Sequence, residues 1–296
     1  MTGVASGTPA PKECWAQVDD LRMRYLDWGG DGPPLMALHG LASSAHWYDL
    51  VAPHLRERFR VIAPDQRGHG QTTQAPAGYH WQSLASDVVG LMDRLGFPQA
   101  GVLGHSWGGY VATHVAGRFP ERVAGLVMID GGFNDWQRIP GATWEAFKAR
   151  LAPRNVSGTR PQFLARLRSQ LDCCWNAEVE RIVQTMVYED SDGQINDILH
   201  PDHHAQVMHA MWHEPPSSVF PRIACPTLIV PAGPTPERVD TELAQRRREM
   251  VEVASQAIRH CRVCWVPGTI HDIGYHKPAE LARVISQFLD GRQAAS

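Results

Sequence analysis

Apolar positions gather in short runs at residues 22–28, 34–39, 59–64, 100–104, 123–129, 226–231 and 261–267. Each run has strand length and ends in polar or turn-forming residues. Between several of them the spacing becomes helical. Leu84, Val88, Leu91, Met92 and Leu95 fall on one helical face, and Leu281, Val284, Ile285, Phe288 and Leu289 do the same near the end of the chain. Strands alternating with helices predict an α/β fold, a mostly parallel central sheet with helices on both faces.

The alternation stops between residues 133 and 220. There the chain reads as helical and aromatic, with Trp136, Trp144, Phe147, Trp175, Tyr188 and Trp212. Val179, Ile182, Val183, Met186 and Val187 recur at the spacing of one helix packed on its neighbours. The pattern predicts a core built from residues 1–132 and 221–296, with a helical cap inserted at 133–220. The arginines at 246–248 read as the solvated face of a long helix that Glu237 and Asp240 begin.

With 296 residues, 43% of them hydrophobic, the chain can bury a sizeable core. A net charge of -3 argues against a nucleic-acid partner. No stretch approaches the roughly 18 consecutive apolar residues of a membrane span, and the opening MTGVASGTPAPKECW has no apolar leader segment. A soluble, cytoplasmic protein without a membrane partner is expected. Six cysteines spread over so long a chain do not suggest a disulfide framework. Cys261 and Cys264 have the spacing of a redox pair, but in a strand-like stretch free buried thiols are the simpler expectation.

The candidate chemistry begins at residues 103–109, LGHSWGG, which follow a predicted strand and precede a predicted helix. That setting marks a nucleophile elbow. The turn is so sharp that neighbouring side chains would clash, hence Gly104, Gly108 and Gly109 around Ser106. It presents the Ser106 hydroxyl at a helix N-terminus, where free N–H groups and the helix dipole favour negative charge. The turn LHGLAS at 38–43 can supply the N–H of Leu41 to join that of Trp107 in an oxyanion hole, each donor being worth about 3 kcal/mol in the transition state. His39 is expected to hold this loop. Residues 125–136, GLVMIDGGFNDW, end an apolar strand at Asp130 and follow it with two glycines. A carboxylate there loses hydration and needs a partner to stay ionised.

Four stretches in this order, LHGLASS at 38–44, VIAPDQRGHGQT at 61–72, LGHSWGG at 103–109 and VPGTIHDIGYHKP at 266–278, resemble the α/β-hydrolase fold superfamily, as a serine esterase or lactonase-like member with a helical cap. The resemblance covers nearly the whole chain outside the cap. It implies that Asp65, Arg67, Gly68 and Gly70 form a structural turn, and that His271, after the last strand, is the catalytic base; nearby His276 does not match. The sequence departs from the commonest pattern at the acid. Many members carry an aspartate after the strand that follows the cap, and here Pro236 stands there, with Glu237 and Asp240 close by. The family's other position, the end of the strand after the nucleophile helix, holds Asp130. Ser106, His271 and Asp130 are therefore the expected triad, Glu237 the alternative acid, and capping of the following turn the plain structural reading of Asp130.

The resemblance implies a serine hydrolase that cleaves a small apolar ester or lactone through an acyl-enzyme, with no cofactor and no metal. Trp136 and Trp212 are the first candidates for substrate contact. Epoxide hydrolases and haloalkane dehalogenases of this fold carry an aspartate at the elbow, so Ser106 speaks against both. Carbon-carbon bond hydrolases, cofactor-free haloperoxidases and hydroxynitrile lyases keep the serine and stay open, as does a non-catalytic ligand receptor. His200, His203, His204, His209 and His213 contain two i, i+4 pairs that could grip a metal, although a polar cap surface is the simpler reading.

Overall fold

The computed structural model describes residues 10–154, 156–234 and 241–291. The chain begins with β1 (Lys12–Val18), β2 (Leu21–Gly29), β3 (Pro34–Leu38), a short α1 (Ala52–Leu55), β4 (Arg60–Pro64) and α2 (Trp81–Arg94). It continues through β5 (Ala100–His105), α3 (Trp107–Arg118) and β6 (Val123–Ile129). Next come α4 (Trp144–Arg150), α5 (Arg160–Gln170), α6 (Ala177–Gln184), β7 (Val187–Glu189), β8 (Ile195–Asp197) and α7 (Pro201–His213). The last part holds β9 (Thr227–Val230), α8 (Glu242–Ala257), β10 (Cys261–Val263), α9 (Ile273–His276) and α10 (Pro278–Asp290).

Eight strands form one sheet in the order β1-β2-β4-β3-β5-β6-β9-β10. Only β1 and β2 run antiparallel to their neighbours; β3 to β6, β9 and β10 are mutually parallel. Buried residues form two apolar clusters, as a parallel sheet covered on both faces requires. Leu35, Leu103 and Val127 point to one cluster and Met36, Val102 and Leu126 to the other, so side chains alternate along each strand. Helix α3 is buried from Trp107 through Gly117, which explains its apolar character all round.

Each predicted strand is present, although β10 is cut to three residues and only an isolated bridge from Ala232 to Val266 continues it. Strand β1 went unpredicted because most of it is exposed at the sheet edge. The faint signal was Cys14, Ala16 and Val18 alternating with polar positions. Between β6 and β9 the chain carries α4 to α7 and the strands β7 and β8, and one expectation needs correcting. Residues 175–189 are not a single helix: α6 ends at Gln184, and Val187 opens a two-stranded hairpin in which Val187 pairs with Asp197. Among the described residues no helix is long and apolar enough to cross a membrane.

Candidate active site

Register brings the first two site residues together. His105 at the end of β5 is paired with Ile129 at the end of β6, so Ser106 and Asp130 leave the sheet side by side. Carboxyl ends of parallel strands are where open α/β sheets place their sites. Both residues have left-handed backbone, φ 53° at Ser106 and 45° at Asp130, a conformation that costs a non-glycine residue roughly 1–3 kcal/mol. Hydrogen bonds hold them there: Ser106 N–H donates to Ile129 O at 2.9 Å, and Asp130 N–H to Val230 O at 3.0 Å.

The turn tolerates no extra atom. A Cβ on Gly104 would lie 2.0 Å from Gly108 O, and one on Gly131 would lie 2.1 Å from Ser106 O. The glycines after Asp130 are thus needed so that the chain can pass the elbow backbone.

His271 arrives on the loop before α9. Its Nδ1–H donates to Asp130 Oδ2 at 2.6 Å, and its Nε2 lies 2.9 Å from Ser106 Oγ, placed to accept the hydroxyl proton. A carboxylate only accepts, which sets this tautomer. The Asp130 side chain is fully buried, whereas about half of the His271 side chain faces the cavity. Burial alone would raise the Asp130 carboxyl, but the bond and charge of His271, then Arg247 and the Ala232 N–H, outweigh it and bring it below the ordinary carboxylate value. Burial likewise works against a charged His271 ring, and the hydrogen bond and charge of Asp130 win, raising it above 6.5.

The turn carrying Leu41 lies against the elbow. A Cβ on Gly40 would sit 3.3 Å from Ser106 Cβ, and Leu41 lines the same cavity as Ser106. Trp107 is the first residue of α3, so its N–H has no intrahelical acceptor. Two histidines brace the turn. His39 Nδ1 donates to Gly40 O at 2.8 Å while its Nε2 accepts from Gln66 N–H, and His69 Nε2 accepts from Ala42 N–H at 3.1 Å. Burial brings His39 down to about 4 and His69 to about 3, so both are neutral spacers.

The turn at 65–70 plays a similar part. Asp65 accepts from Arg24, Ala45 N–H and Gln71 N–H, and Arg67 pairs with Asp87 through two bonds of 2.9 Å.

Ser106 and His271 open into a cavity of about 240 Å³. Its apolar wall includes Leu167, Leu171, Val183 and Met186 from α5, α6 and their flanks, with Arg154 and Gln170 as polar members. The first candidates for substrate contact were Trp136 and Trp212. Neither lines this cavity: Trp136 Nε1 donates to Tyr110 Oη at 2.9 Å and its ring meets Phe147, which also packs on Trp212. Both tryptophans pack elements together, Trp136 against α3 and α4 and Trp212 against α4.

Sequence reasoning missed three contributors. Trp47 stacks on His105 with ring centroids 4.0 Å apart and donates to Asp272, while His105 Nε2 donates to the His271 carbonyl at 3.1 Å; together they fasten the loop that carries the base. The third is Arg247, which turns inward and binds both oxygens of Asp130 at 2.7 and 3.0 Å. The reading of 246–248 as a solvated face therefore fails at its middle residue. Helical spacing held the clue, since Arg247 shares a face with the buried Ala244, Val251 and Ala254.

Glu237 and Asp240 lie outside the described residues. In α7, His203 and His204 are buried rather than surface residues, His203 stacking on Tyr79. Among the described residues no group of three or more His, Cys, Asp or Glu is arranged to hold a metal ion. All six cysteines are free, and burial pushes Cys261 up to about 12, far from a reactive thiolate.

A family model described as alpha/beta hydrolase fold matches residues 33–232. A soluble epoxide hydrolase of Corynebacterium sp. (strain C12) is 39% identical over 115 residues, covering 39% of this chain and 40% of that protein. A putative carbamate hydrolase of Variovorax paradoxus (strain S110) is 35% identical over 150 residues, covering 50% of this chain and 55% of that protein. The chain thus spans about half the length of these curated relatives. Among solved structures, an E-2-(acetamidomethylene)succinate hydrolase superposes with a TM-score of 0.78 at 22% identity, over 95% of this chain and 99% of that one.

Proposed function

The chain belongs to the α/β-hydrolase fold family, and on that premise we propose that it is a serine hydrolase cleaving a carboxylic ester or lactone. The observation that carries this reading is the hydrogen-bonded series from Ser106 Oγ through the His271 ring to Asp130. In the proposed cycle Ser106 Oγ attacks the substrate carbonyl carbon as its proton passes to His271 Nε2. The carbonyl oxygen, now an anion, is held by the N–H groups of Leu41 and Trp107. Collapse breaks the bond to the alkoxide, which takes the proton from His271 Nε2 and leaves an acyl-Ser106 ester. Water then attacks that ester with His271 as base and releases the acid and Ser106.

The apolar wall beside Ser106 suits an apolar acyl or alkoxy group, and in this reading the segment between β6 and β9 acts as a cap that shapes the cavity. The names of the relatives span epoxide and carbamate hydrolysis; a serine at the elbow favours acyl transfer. The test is turnover of a panel of aryl esters and lactones by the wild-type protein and Ser106→Ala. Turnover is expected from the wild type and none above background from the variant, with an unchanged melting temperature. Wild-type rates from Ser106→Ala would contradict it.

A further inference from the structure

We propose that Arg247 is a positioning residue of this site, holding the Asp130 carboxylate charged and aimed while the His271 ring is neutral. The inference rests on the hydrolase reading above. In the resting state the base must be neutral, so His271 supplies a hydrogen bond to Asp130 but no countercharge. A fully buried carboxylate in that position would otherwise tend to take up a proton itself. Arg247 supplies the missing charge from α8, its Nη1 donating to both Asp130 oxygens and to Ala232 O at 3.4 Å. The Ala232 N–H adds a bond of 2.8 Å to Oδ1 and Arg247 approaches that oxygen more closely, leaving Oδ2 directed at the ring. When His271 takes the serine proton, Asp130 lies between two cations, so Arg247 also tempers the basicity that the carboxylate confers.

Among the described residues, the other titratable groups facing this pair add no second positive charge besides Arg247. Asp272 beside His271 is an anion that favours the charged ring. His105 from β5 is brought down to about 4 by burial and stays neutral. Tyr110 from α3 is raised by burial and keeps its phenol proton.

The experiment is an NMR titration of the His271 ring in the intact protein, with wild type, Arg247→Met and Arg247→Lys compared, alongside the pH profile of ester turnover. Removing the positive charge should increase proton uptake by the Asp130–His271 pair. Arg247→Met is expected to move the ring titration and the acid limb of kcat/KM upward together by at least about half a pH unit, and to lower kcat. Arg247→Lys should restore most of both. Arg247→Gln, of similar length, replaces the methionine variant if that one does not fold. An unmoved titration and acid limb with only a lower melting temperature would overturn the proposal, leaving Arg247 as a brace between α8 and β6. Because the titration is read without turnover, failure of this proposal is distinct from failure of the hydrolase reading, which Ser106→Ala decides.

Discussion

Asp130 is the residue on which the proposed chemistry turns, because it changes how His271 holds a proton. In the wild type, Asp130 raises the ring above 6.5, and the base works only when neutral. Activity should therefore fall as pH drops through a value above the ordinary histidine one, while Asp130, lowered by its partners, stays ionised across that window. Asp130→Asn removes the charge that raises the ring and can stabilise the wrong tautomer. The variant is expected to lose up to about 10⁴-fold in kcat, and its acid limb should move to lower pH. Parallel pH profiles and thermal melts of the two proteins check this. A folded variant with a near-normal rate and an unmoved limb would reduce Asp130 to a turn residue.

At the scale of elements, the segment between β6 and β9 divides its side chains between two tasks. Leu167 on α5 lines the cavity beside Ser106, whereas Trp136 is tied to Tyr110 and Phe147. Leu167→Ala should raise KM for long-acyl esters relative to acetate esters by about 10-fold, the scale of one lost apolar contact in a pocket. Trp136→Ala should instead lower the melting temperature with little change in that ratio. Steady-state kinetics on the two ester classes distinguishes these outcomes.

The same division shows what could be read beforehand. Strands β3 to β6 and β9 were legible because burial on both faces demands near-continuous apolar runs, and β2 because its apolar residues recur between polar ones. The elbow was legible because its glycines are forced by backbone approach. Which tryptophans face the cavity was not, since aromatic residues pack equally well against helices, and periodicity within one helix does not say what lies opposite. Arg247 was hidden for a related reason: a charged side chain on a helix normally turns to water, and only a buried acid on a distant strand reverses that.

For the whole molecule, the site is an outcome of topology. Ser106 and Asp130 meet because β5 and β6 are adjacent, and His271 reaches them because the chain crosses to β9 and β10 on the far side of β6 before turning back. Each partner comes from a different part of the sequence, and the sheet supplies their common geometry. If this assembly performs acyl transfer, Ser106 must become covalently loaded. The most direct test is mass spectrometry of the intact protein and its peptides after treatment with a fluorophosphonate or a slowly hydrolysed aryl ester. A single adduct per chain is expected on the peptide carrying Ser106, absent from Ser106→Ala and strongly slowed in Asp130→Asn. An active protein with no adduct, or an adduct that persists in Ser106→Ala, would contradict it.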